Sequence, residues 1–233
     1  EIAQCLVGSE MCIRDRCRSR NVVARIEGTD KKDEILTITA HYDSVPEGPG
    51  AYDNMAGAAI IMELCRYFQQ YRPRRTMEFV WFGAEEKGLL GSRDYIRVHE
   101  SELGAHRFNM NVDLAGQLIG GNVLGVTGEA SVCDKLLEIA DGAGIGASVK
   151  NQIWGSDSNS FAWKGIPAMT LNRDGFGMHT RYDTIDLLSA WSLERSAILL
   201  GCIADALGNT EVFPFERKMP EKFIGELDEY MCR

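Results

Sequence analysis

The chain has 233 residues, 45% hydrophobic and 25% charged, with a net charge of −9. That composition suits a soluble globular chain of one large or two small domains. It offers no basic stripe to neutralise nucleic-acid phosphates. No apolar run approaches the ~18 residues that cross a bilayer, so no membrane span is expected. The 7 cysteines are odd in number and lack CxxC spacing, which reads as free thiols rather than a disulfide framework or a structural zinc site.

Residues 1–20, EIAQCLVGSEMCIRDRCRSR, carry three cysteines and four arginines without helical or strand periodicity. The run CLVGSEMCIRDR resembles a stretch that recurs where adaptor sequence has been read as coding, so residues 1–20 are expected to be non-native or disordered. From Asn21 the pattern becomes regular. NVVARIEG reads as a strand, residues 29–33 as a polar turn, and Glu34–His41 as a second strand. Ala56, Ile60, Leu64 and Phe68 fall on one face of a helix spanning residues 53–71. TMEFVWF (76–82) is the β-branched and aromatic run of a strand buried on both faces. A helix is predicted over 89–99, strands over 107–114 and 122–127, a helix over 130–140 and a short strand over 147–152. Then come a helix from Ser156, with Ser156 and Asp157 as candidate N-caps, a strand over 166–171, a long helix over 187–207 and a short helix after Phe213. Strands alternating with helices, without repeats or an internal linker, predict one three-layer α/β/α sandwich over 21–233, with a mixed, mostly parallel central sheet.

Chemistry-bearing residues recur at strand ends. His41 and Asp43 follow the second strand, and Asp53 closes the next loop. Glu85 and Glu86 come straight after TMEFVWFGA, Asp113 ends NMNVD, and His179 lies in GFGMHT. Such ends can converge at one edge of a parallel sheet. Bare carboxylates gathered there repel one another, and a cation resolves the conflict. Imidazole nitrogen with carboxylate oxygen suits zinc, with manganese or cobalt as substitutes. Each piece also has a plainer explanation. Asp43 reads as a loop acid, Asp53-Asn54 as a helix N-cap, and Glu85-Glu86 as an acidic first turn. Asp113, a carboxylate in an apolar strand, is the hardest to explain without a partner. His99 and His106 read as solvated.

The motifs AHYDS, GAYDNMAG, AEEKGLLGS, NVDLAG, GSDSNSF and MHTRYDT stand in this order over residues 21–208. In this the chain resembles family twenty-eight of the metallopeptidases, the zinc aminopeptidases related to glutamate carboxypeptidase. The resemblance implies an eight-stranded mixed sheet and two zinc ions. His41 and Asp113 would hold one ion, Glu86 and His179 the other, and Asp53 would bridge them. Asp43 would orient His41, and Glu85 would act as general base toward a metal-activated water. The implied substrates are peptides with a free N-terminus. Tyr182 is expected to pack or to donate to an oxyanion, Asp157 and Asp183 to support the ligands, and Arg173 to reach a substrate carboxylate or to be solvated.

That family usually has a helix and a strand before the equivalent of NVVARIEG, so the domain is expected to lack them. Two rivals share the scaffold: a glutaminyl cyclase-like acyltransferase with one zinc, and a non-catalytic relative. HYDSVP also echoes the dimetal aminoacylases and dipeptidases. Free cysteines point to the cytoplasm, with secretion the alternative.

Overall fold

The computed structural model describes residues 18–232, so the expectation for 1–20 lies almost wholly outside the described residues. Seven strands form: β1 (Val22–Ile26), β2 (Lys31–His41), β3 (Arg75–Phe82), β4 (His106–Val112), β5 (Asn122–Thr127), β6 (Ala147–Asn151) and β7 (Ala168–Arg173). They make one mixed sheet in the order β1-β3-β2-β4-β7-β5-β6. The resemblance implied eight strands; among the described residues there are seven. The edge strand β1 pairs only with β3, leaving Val22 54% and Val23 46% exposed.

The helices are α1 (Ala56–Gln70), α2 (Leu90–Val98), α3 (Ala130–Gly142), α4 (Ser158–Trp163), α5 (Ala190–Asn209) and α6 (Glu221–Met231). They lie in two layers, as the alternating elements predict. On one face α1, α3 and α5 cover Leu36, Ile38 and Ala40 of β2 and Phe108, Met110 and Val112 of β4. On the other, α2, α4 and α6 bury Val80, Phe82, Phe161, Phe223 and Leu227. Apolar burial of this kind contributes roughly 25 cal/mol per Å² and is what holds the layers together.

The period of two in β2 and β4 has a second consequence. Residues alternating with the apolar ones form a buried polar file, Thr37-Thr39-His41 beside Asn109-Asn111-Asp113. Its members are hydrogen-bonded to each other, as burial requires. Asn109 Nδ2 donates to Thr39 Oγ1 at 3.1 Å, Thr39 Oγ1 to Asn111 Oδ1 at 2.8 Å, and Asn111 Nδ2 to Ser156 Oγ at 2.7 Å. The file runs down the strands and ends in His41 and Asp113 at the carboxyl edge.

Several local expectations are corrected. Residues 31–33 belong to β2 rather than to a turn, because Lys31 N donates to Arg74 O at 2.9 Å and Thr76 Oγ1 to Lys32 O at 2.8 Å. His106 is buried rather than solvated, with Nδ1 2.6 Å from Thr37 Oγ1. Arg173 is neither solvated nor free for substrate. It is buried and donates to the carbonyls of Gln117 at 2.6 Å and Leu118 at 3.2 Å. Tyr182 does not pack: it is 61% exposed, with Arg181 against its ring. Neither Ser156 nor Asp157 caps α4 through its side chain.

Candidate metal centre

Strands β3, β2, β4 and β7 are adjacent and mutually parallel, so their carboxyl ends share one edge. His41 is the last residue of β2, Asp113 follows β4 directly, Glu85 and Glu86 form a turn after β3, and His179 lies in the loop after β7. The fold therefore brings together all the residues that the sequence placed at strand ends.

Asp53 arrives differently. The segment Ala51–Met55 is not regular helix: Asp53 (φ −119°, ψ 87°) and Asn54 (φ −142°, ψ 38°) depart from helical values, and α1 begins only at Ala56. Asp53 is therefore no cap, whereas Asn54 acts as one: its Oδ1 accepts the amide of Gly57, in the first turn of α1, at 3.2 Å. The segment is held from outside. Asp183 accepts the amides of Tyr52 at 2.6 Å and Asp53 at 3.1 Å. Asn54 Nδ2 donates to Val112 O at 2.8 Å, and its Oδ1 accepts the amide of Leu114 at 3.3 Å. Asn54 thus locks the Asp53 turn to the end of β4, beside Asp113.

The result is two groups of ligand atoms joined by one carboxylate. His41 Nε2 lies 3.2 Å from Asp53 Oδ1 and 3.3 Å from Asp113 Oδ1. His179 Nε2 lies 3.0 Å from the other Asp53 oxygen and 3.2 Å from Glu86 Oε2. His41, Asp53 and Asp113 form one set able to hold a metal ion, and Asp53, Glu86 and His179 form another. The two sets share opposite oxygens of the Asp53 carboxylate. Glu86 Oε1 is buried without a hydrogen-bond partner, which fits a group that completes its shell with a cation.

The electrostatics agree. Burial works to lower the pKa of His41, yet Asp113, Asp43 and Asp53 overcome it and hold the imidazole well above its ordinary value. A positive charge is stabilised at this point. Burial also works against Asp113, but His41 keeps its carboxyl below the usual range. Burial raises Glu86 with help from Asp53, and raises Glu85 to about 9, with Asp157, Asp113 and Glu86 adding to the effect.

Asp43 does more than support His41. Its carboxylate accepts the amides of Glu85 at 3.0 Å and Glu86 at 3.3 Å, while Oδ1 is 3.6 Å from His41 Nδ1. That ring nitrogen lies nearer the Asp43 carbonyl oxygen, at 3.2 Å. Three non-glycine residues at positive φ border the site: Ala84 (φ 60°) before Glu85, Leu114 (φ 67°) after Asp113, and His179 itself (φ 58°). Strained backbone of this kind persists where the surroundings over-determine it. The sequence carried no signal of it. It also gave no sign that Asp157 is fully buried with neither carboxylate oxygen partnered, and burial pushes that group up to about 7.

An α/β/α sheet with a double set of imidazole and carboxylate ligands at its carboxyl edge defines the class of chain. The model of peptidase family M28 matches residues 21–201. The chain belongs to that family. It is 30% identical over 161 residues to aminopeptidase YwaD of Bacillus subtilis, an alignment covering 69% of this chain and 32% of the relative. It is 26% identical to carboxypeptidase Q of Rattus norvegicus over 83% of this chain and 42% of that one. A zinc aminopeptidase from Bacillus subtilis superimposes with a TM-score of 0.74 at 26% identity, covering 85% of this chain and 53% of the other. The chain thus spans between a third and about half of the length of these relatives.

Proposed function

We propose that this chain carries the catalytic centre of a zinc-dependent exopeptidase, an aminopeptidase that releases N-terminal residues from peptides. The observation that supports this reading is the sharing of Asp53 between two ligand sets, at 3.2 Å from His41 and 3.0 Å from His179. In the proposal His41 and Asp113 would hold one zinc ion, Glu86 and His179 the other, and Asp53 would serve both. Zinc bound there would supply an acidified water and a Lewis acid for the scissile carbonyl.

The chain's own groups do the rest. Glu85 sits half-buried on the turn held by Asp43, next to Glu86 in the chain, and would take the proton of the attacking water and pass it to the leaving amine. Asp43 and Asp183 fix the backbone that presents Glu85, Glu86 and Asp53. A metal ion held there would accept the lone pair of a substrate's free α-amine, which is the reason for choosing aminopeptidase.

The test is hydrolysis of leucine p-nitroanilide by the zinc-loaded chain. Glu85→Gln should lower kcat by roughly 10²–10⁴-fold with zinc content unchanged. Unchanged hydrolysis removes Glu85 from its role. Full activity with a single zinc per chain overturns the two-ion reading.

A further inference from the structure

Helix α6 lies beyond residue 201, where the family match stops. It is firmly seated. Phe223, Leu227 and Met231 are buried beneath it, and Trp163 Nε1 of α4 donates to Asp228 Oδ1 at 2.8 Å. This anchoring aims Tyr230, in the last turn, at the loop that precedes α4. A Cβ placed on Gly155 would stand 3.4 Å from the Tyr230 hydroxyl oxygen and little else, so the phenol lies directly over that glycine.

The loop beneath it borders the candidate site. Ser156 accepts from Asn111 in the polar file, and Asp157 is the buried carboxyl without a partner. Tyr230 is half-buried, and its hydroxyl makes no hydrogen bond to a described residue. The hydroxyl is not among the buried polar atoms that lack a partner, so it is open to solvent and free to turn toward a bound group. Burial raises the phenol's pKa, and the charges of Glu85, Asp157 and Asp113 raise it further against the opposing charge of Arg93. The hydroxyl is therefore a neutral donor that stands in the field of the proposed base.

We propose that Tyr230 is a substrate-binding residue, whose hydroxyl donates a hydrogen bond to a peptide carbonyl lying beside the 155–157 loop. The inference rests on the exopeptidase reading and deepens it. Two neighbouring acids disfavour a carboxylate as the acceptor, whereas a neutral backbone carbonyl meets no such repulsion.

Tyr230→Phe removes the hydroxyl and keeps the ring that packs on the loop. With the zinc-loaded chain and the tripeptide Leu-Gly-Gly, KM should rise roughly 3- to 10-fold, the loss of one neutral hydrogen bond, with the thermal midpoint and zinc content unchanged. In a Glu85→Gln background the Kd for Leu-Gly-Gly, read by calorimetry, should rise by the same factor. Hydrolysis by the wild type with KM and Kd unchanged in the variant overturns the inference and leaves the exopeptidase reading standing. A wild type that hydrolyses nothing overturns that reading instead. The Kd comparison then decides the inference alone: an equal Kd, or no binding, overturns it.

Discussion

Asp43 accepts hydrogen bonds from the amides of Glu85 at 3.0 Å and Glu86 at 3.3 Å, so an acid two residues beyond His41 fixes the turn that carries the opposite half of the site. The relationship joins the ends of β2 and β3. His41 and the partly exposed Asp43 keep each other charged: burial acts to raise Asp43, but His41 and the two amides hold its carboxyl below the ordinary range. Removing Asp43 should therefore disturb both ligand sets at once. Asp43→Ala is expected to lower zinc affinity and kcat/KM by roughly 10–100-fold, the usual cost of losing a carboxylate behind a metal-binding histidine. Asp43→Asn keeps one acceptor oxygen and should fall between. Zinc titration with a chromophoric chelator, run beside nitroanilide hydrolysis, measures both. Equal affinity in all three proteins would mean that the turn holds itself.

Asp183 performs the matching task for Asp53. It is buried, and it accepts the amides of Tyr52 at 2.6 Å and Asp53 at 3.1 Å across a long stretch of chain. Truncation leaves two buried donors unmade, at about 1–3 kcal/mol of stability. Asp183→Ala should lower the urea midpoint accordingly. It should also weaken zinc binding, because the bridging carboxylate loses its anchor. A destabilised variant with wild-type zinc affinity would separate Asp183 from the site.

The strand ends were legible in the sequence because apolar runs of period two or continuous hydrophobicity stopped abruptly at a His or an acid. His41, Asp113 and the Glu85-Glu86 turn could be placed at one edge on that ground alone. The supporting contacts were not legible. Asp183 and Asp53 are 130 positions apart, and nothing local says that one carboxylate will meet the other's amide. Asn54 does cap α1 through Gly57, as its place before the helix suggests, but caps and tertiary hydrogen bonds use the same side chains, and only the fold shows that it also binds Val112 and Leu114. Arg173 and His106 were misjudged for a related reason. Both are polar residues at strand ends that are buried in contacts supplied by distant loops and strands, which composition does not encode.

Metal loading should be proton-linked. In the metal-free chain burial carries Glu85 up to about 9, and neighbouring carboxylates outweigh burial to hold His41 well above its ordinary value, so both bind protons at neutral pH. An arriving cation favours their unprotonated forms, and protons leave. Zinc titrated at pH 7 into buffers of different ionisation enthalpy should give heats with a slope of about one released proton or more per chain. Glu85→Gln should reduce that number. A slope of zero would show that the site is already deprotonated.

Acid sensitivity should have a separate source on the far side of the polar file. His106 is buried, and that burial, with smaller effects from His99, Arg217 and Arg25, lowers its pKa to about 4. Thr37 Oγ1, 2.6 Å away, can donate to the unprotonated Nδ1 and so favours the neutral ring. The unfolded chain takes up this proton near pH 6.5, while the folded chain refuses it until the pH approaches its own lower value. Stability is thus full above about 6.5 and declines as the pH falls toward 4, by up to roughly 3 kcal/mol from this group alone. Carboxylates elsewhere titrate in the same range, so the comparison must be a difference. His106→Gln, which keeps a polar group opposite Thr37, should start less stable at pH 7.5 and lose less between pH 6.5 and 4.5 than the wild type. Urea midpoints across that range measure both slopes. Parallel curves would mean that His106 is protonated in the fold, and that the Thr37 contact runs in the other direction.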